Sequence, residues 1–234
     1  VLGITSGASL FVAFSVLTGW ELIASDYGLV FSALIGAFAF SLIILLFSFF
    51  VKSAVSLLLI GMMLASFTSA IIQVIQLGTH ANDLKSYVLW GFGSLQQVNF
   101  DQLPLILVVF LFGSFCLTFL IKPLNLLVLG ESQAKILGSN LTINRLILIS
   151  VSSVFAGLVT AYCGPISFIG LAVPNMVKQV FRTQNHFKLL IGCALVGATT
   201  LLVCDLVLIY LEDIILLPLN AITALIGAPV VVWI

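Results

Sequence analysis

The sequence predicts an all-α, polytopic membrane helix bundle, and three observations carry that expectation. Of 234 residues, 62% are hydrophobic and 7% charged, against about 25% charged in a soluble globular chain. The charges are gathered into short clusters. The gaps between them approach or exceed the roughly 20 apolar residues that cross about 30 Å of hydrocarbon at about 1.5 Å per residue. A formal net charge of zero, with no long run of Lys and Arg, argues against nucleic acid as a partner, since following a phosphate backbone needs a basic surface.

In chain order, the charge-free stretches are 1–20, 27–51, 53–79, 102–121, 146–177, 189–204 and 214–234. The fifth is too long for one straight span. It contains Gly164-Pro165, a pair that frees a backbone acceptor and bends or ends a helix. Cytoplasmic loops collect Lys and Arg, and this decides the threading. As one span, the block would set Lys52, Lys122, Lys135 and Arg145 against Lys85, Lys178, Arg182 and Lys188, with no bias. Turned back at Gly164, it leaves Lys85 alone opposite the others. The chain is therefore expected to form eight membrane segments in a single transmembrane domain over 1–234, the split halves being short and supported by neighbours. Loops at 21–26, 80–101 and 212–217 then face outside, and those at 52, 122–145 and 178–188 inside.

Small residues four apart, at Gly3 and Gly7, Gly157 and Ala161, Ala194 and Ala198, and Ala224 and Ala228, suit close helix crossings. Cys116, Cys163, Cys193 and Cys204 form no C-x-x-C and lie mostly in apolar stretches, where Cys packs as a small hydrophobe. The chain starts at Val1 without a methionine and stops at Ile234 inside an apolar run, which reads as a fragment.

Three constellations are candidates for function. Ser66, Ser69, Gln73 and Gln76 share one helix face by their spacing. Such a stripe either lines a polar cavity or hydrogen-bonds between helices. The inside loop 122–145 holds LGESQAKILGSNLTINR, in which Glu131 and Lys135 match a helix dipole, Gly138 suits a left-handed stop, and Asn140 can cap the next helix. It is either a stiff docking element for a soluble partner or a well-capped turn. Asp205 is expected about a turn and a half to two turns inside the outer end of its helix, as an ion relay or as a carboxylate bonded to neighbouring hydroxyls.

Catalytic marks are missing. There is no Gly-Lys pair for a P-loop and no H-E-x-x-H. GITSGAS has the wrong spacing for a serine nucleophile elbow, and no His lies near it to act as base. His80 and His186 sit in loops on opposite sides, and the acceptor pattern at Asn140-Leu141-Thr142 falls inside. No enzyme, metal site or cofactor is expected.

Ordered motifs across nearly the whole chain resemble the FecCD family of ABC importer permeases. LGITSGASL is similar to the family's LGVSSGA, and WGFGSL to W-x-x-GSL. LGESQAKILG resembles LGE-x-x-A-x-x-LG, GPISFIGLAVPN resembles GPIGFVGL-x-x-PH, and LPLNAITALIGAP resembles LP-x-G-x-x-TALIGAP. The resemblance implies a ten-helix type II permease in a bacterial cytoplasmic membrane, with about two N-terminal helices lying outside this chain. It further implies a homodimer with a path on its axis, ATP-binding subunits beneath, and a periplasmic or lipid-anchored substrate-binding protein. Gly130, Glu131, Ala134, Leu137 and Gly138 take the ATPase-coupling role, Ser66, Ser69, Gln73 and Gln76 the translocation path, and Trp90, Gly93 and Ser94 the outer gate region, with the helix break at Gly164 and Pro165. The implied ligand is an iron chelate (siderophore), haem or a cobalamin-like molecule. The alternative is an ion-coupled secondary transporter using Asp205. Departures from the family pattern are Ser167, Asn175 and Asn220, together with Ile209 where Arg is common and Leu216 where Glu is common.

Overall fold

The computed structural model describes residues 3–17, 26–51, 54–211 and 217–233. Among them, apart from one 3-10 turn at Phe100–Gln102, every regular element is an α-helix: α1 Ile4–Leu17, α2 Asp26–Phe50, α3 Ala54–Leu77, α4 Ala81–Gly91, α5 Leu103–Leu127, α6 Glu131–Ile136, α7 Leu141–Cys163, α8 Ile169–Phe181, α9 His186–Leu211 and α10 Leu219–Trp233. Five of these, α2, α3, α5, α7 and α9, are long and apolar enough to cross a membrane. α1, α8 and α10, at 14, 13 and 15 residues, fall short of the roughly 20 that a full span needs. These three pack against other helices, α1 on α2 and α3, α8 on α9, and α10 on both α8 and α9. Of the eight expected segments, five are full-length apolar helices, α1 and α10 are shorter apolar helices, and the eighth falls on α8. Leu216, Lys52 and most of the loops at 21–26 and 212–217 lie outside the described residues.

The long block is broken where Gly164-Pro165 predicts it. α7 ends at Cys163 and α8 begins at Ile169, with Gly164 at φ +73° in the left-handed region that glycine enters freely. The connection 80–101, expected to face outside, is not plain loop, because it forms α4 and the Phe100–Gln102 turn, whose Gln102 Oε1 accepts the Asn99 N–H at 3.2 Å. ANDLKSYVLWG carries too little hydrophobicity to register as a span, and its helix is visible only once it has a surface to lie on.

The helices form two compact units, Val1–Gly113 with Leu146–Pro165, and Ser114–Arg145 with Ile166–Ile234. The first unit's core joins Ile4, Ala8 and Val12 of α1, Val30, Ala33, Ala37 and Ile44 of α2, and Leu158 and Ala161 of α7. Glycines set its closest approach: a Cβ on Gly36 would overlap the backbone carbonyl of Gly7, and one on Gly7 would run into the Phe40 ring. Gly157 faces Leu34 and Ala37. The second unit's core is Val173, Val177 and Leu189. Gly192, not the exposed pair Ala194 and Ala198, lets α8 and α9 meet, its position facing Val177 and Phe181. All four cysteines are free thiols.

Candidate functional site

α3 is long and apolar, yet only 11% of its most hydrophobic window is buried. Of its polar residues, Ser66, Ser69 and Gln73 are exposed on the unit and Gln76 is half-buried, whereas Thr68 is buried. Ser69, Gln73 and Gln76 line a cleft of ≈ 370 Å³. Ser66 does not reach it; its Oγ donates to its own helix at Met62 O, 3.1 Å away. Three hydroxyl residues of α1, Thr5, Ser6 and Ser9, complete the facing wall, with Thr68, Tyr87 and Pro165 beside them. The TSGAS run was legible as a motif, but nothing in the sequence says that it faces the α3 stripe.

Thr68 and Ser9 satisfy themselves by donating one turn back, to Leu64 O at 2.6 Å and Thr5 O at 2.9 Å. Among the described residues no hydrogen bond engages the Ser69 hydroxyl or the Gln73 and Gln76 amides. The stripe does not hold this unit together. No residue lining the cleft carries a charge, and burial pushes the Tyr87 phenol up to about 12, keeping it a neutral donor.

Trp90, Gly93 and Ser94 meet the helix break. A helix C-terminus leaves its last carbonyls without partners. Here Trp90 Nε1 donates to Ala161 O at 3.3 Å and the Ser94 N–H donates to Cys163 O at 2.9 Å. A Cβ on Gly164 would overlap Trp90 O. The end of α7 is thus capped by the α4 segment. Trp90→Phe keeps an aromatic ring but loses the indole N–H and orphans the buried Ala161 carbonyl, and should cost about 1–3 kcal/mol, read as a lower unfolding midpoint of the purified protein. An unchanged midpoint would deny the cap.

In the second unit, α6 is held as a short, stiff element. Gly130 and Gly138 take φ of +106° and +83° at its two ends, Ala134 is fully buried, and the Ser139 N–H closes on Ala134 O at 2.9 Å. Asn140 Oδ1 accepts the Ile143 N–H at 3.2 Å, capping α7. Glu131 meets Arg145 at 3.5 Å with both side chains exposed, a pair worth little. Ile136 and Leu137 are 84% and 58% exposed on this polar connection, and Ile136 was not singled out by the motif.

Asp205 lies on α9 of the same unit, half-buried. Among the described residues no hydrogen bond or ion pair reaches its carboxylate, and no three His, Cys, Asp or Glu gather as a metal-binding group. Two family departures touch: the Ser167 N–H donates to Asn220 Oδ1 at 3.0 Å, a bond that glycine at 220 could not accept. Ile209 is half-exposed on α9, and Asn175 lies within α8.

The FecCD transport family model matches residues 1–234. The chain is 34% identical over 232 residues to the molybdate import system permease protein MolB of Haemophilus influenzae, covering 98% of this chain and 67% of that one. It is 33% identical over 235 residues to the vitamin B12 import system permease protein BtuC of Escherichia coli, covering 100% of this chain and 71% of that one. Among solved structures, a metal-chelate type ABC transporter in an inward-facing conformation matches with a TM-score of 0.87 and 35% identity, covering 99% of this chain and 74% of that one. Helix order, motifs and family match agree: the chain belongs to the FecCD transport family, as a membrane-spanning permease.

Proposed function

We propose that the chain is the permease subunit of an ATP-driven importer in a bacterial inner membrane, working as a pair of copies with two ATP-binding subunits and a substrate-binding protein. ATP hydrolysis belongs to the partners, and this chain supplies the path. The relatives' names support import, one for molybdate and one for vitamin B12. The uncharged lining of the cleft carries the choice of ligand. Ser69, Gln73, Gln76 and the α1 hydroxyls offer donors and acceptors without a fixed charge. Such a wall suits a ligand whose charge is enclosed by its own organic groups, a metal chelate or cobalamin-like molecule, over a bare oxyanion that needs a cation beside it.

Gln73→Leu removes one amide from that wall without touching a hydrogen bond of the fold. We expect uptake into vesicles containing the assembled importer to fall about tenfold, as for an interaction of about 1.4 kcal/mol, with the unfolding midpoint unchanged. Normal uptake of a chelate substrate by this variant would remove the stripe from the path. Within the proposal α6 is the coupling element, presenting Glu131, Ile136 and Leu137 to an ATP-binding subunit, and Trp90, Gly93 and Ser94 belong to the outer gate.

A further inference from the structure

A cationic pocket at one end of the second unit has no part in this transport scheme. Lys178, Arg182 and His186 line a cavity of ≈ 420 Å³ whose apolar wall includes Val128 and Leu189. The His186 backbone N–H and Nδ1 both meet Asn125 Oδ1, at 2.9 and 2.8 Å. That contact ties the end of α5 to the α8–α9 connection, so two of the Lys- and Arg-rich connections share one end of the unit. By the positive-inside rule this end faces the cytoplasm.

Lys178 and Arg182 are exposed, and among the described residues no carboxylate pairs with either. Arg182 is also set at a backbone cost. It ends α8 at φ 45°, its N–H closing on Lys178 O at 3.0 Å, in the left-handed position that glycine or asparagine normally takes. An arginine held there against its preference points to a use for its side chain. The α9 N-terminus does not supply the attraction, because Asn125 already accepts the His186 N–H and Asn185 Oδ1 accepts that of Phe187 at 2.9 Å. Phe181 and Phe187, about half exposed, flank the pocket in sequence.

Paired cations over an apolar wall, at the cytoplasmic end of membrane helices, sit at the level of lipid phosphates. A concave site of a few hundred Å³ suits a small ligand. We propose that this pocket binds the phosphate headgroup of an anionic phospholipid of the inner leaflet, with Lys178 and Arg182 on the phosphate and Val128 and Leu189 against the glycerol and first acyl carbons.

The test is native mass spectrometry of the detergent-purified importer complex, titrated with dioleoyl phosphatidylglycerol or, separately, dioleoyl phosphatidylcholine. The parent should retain phosphatidylglycerol preferentially. Arg182→Gly, which suits the left-handed backbone and so preserves the fold, and Lys178→Gln should each weaken that binding about five-fold while leaving phosphatidylcholine unchanged. Millimolar inorganic phosphate should not displace the lipid. Equal binding of the two lipids, or parental phosphatidylglycerol affinity in both variants, would overturn the proposal. So would full displacement by inorganic phosphate, which marks a soluble anion site, or unchanged lipid binding with loss of the ATP-binding subunits, which marks a protein surface.

Discussion

Gly36→Leu is expected to leave almost no folded permease in the membrane. A Cβ at this position already overlaps the carbonyl of Gly7, and backbone cannot swing aside as a flexible side chain can. α1 and α2 must therefore separate. Ala8, Val12, Ala33 and Ala37, each at 0–1% exposure, then lose their contacts together. Overpacking alone costs about 1–3 kcal/mol. The loss of close helix contact adds to it, since packing and not water exclusion joins helices in lipid. The measurement is the monodisperse fraction of detergent-extracted protein, with Gly91→Leu as the control, because nothing lies within 4 Å of a Cβ there. Recovery of Gly36→Leu equal to that of the control would refute the crossing.

Glu131→Arg should produce the largest functional loss without a folding defect. Glu131 is 66% exposed in its side chain and its contact with Arg145 is long, so little stability rests on it. On the coupling proposal its carboxylate faces a partner's surface, where reversing a charge brings like charges together at several kcal/mol. Co-purification of ATP-binding subunits should fall at least tenfold, and ATP-driven uptake with it, while membrane insertion stays at the parental level. Undiminished co-purification would take α6 out of the interface.

How much of this was legible follows from the range over which each signal acts. Spans and their break could be read because charge counts and the Gly164-Pro165 pair act locally or through whole-loop sums. The end of α6 and the start of α7 were legible for the same reason, Gly138 and Asn140 being local stop and start signals that take up φ +83° and a 3.2 Å cap. Pairings between distant segments were not. Helical spacing put Ser66 on the stripe with Gln73, but a helix face is broad, and the cleft reaches Ser69, Gln73 and Gln76 while missing Ser66. Thr5, Ser6 and Ser9 joined the wall only because Gly3 and Gly7 bring α1 near α3 and α2. Ala194 and Ala198 fit the small-residue spacing as well as Gly3 and Gly7 do, yet they face out. Spacing names a face and not its neighbour.

The cap on α7 also fixes an order of events in time. Trp90 and the carbonyl it binds are 71 residues apart, and at about 5–20 residues per second of synthesis the second follows the first by roughly 4–14 s. Through that interval the Trp90–Ser94 segment exists without its partner. Its two donors, an indole N–H and a backbone N–H, must meanwhile find other acceptors. Closure of this cap therefore waits on the arrival of α7, and any chaperone of its biogenesis has seconds in which to find α4 undocked.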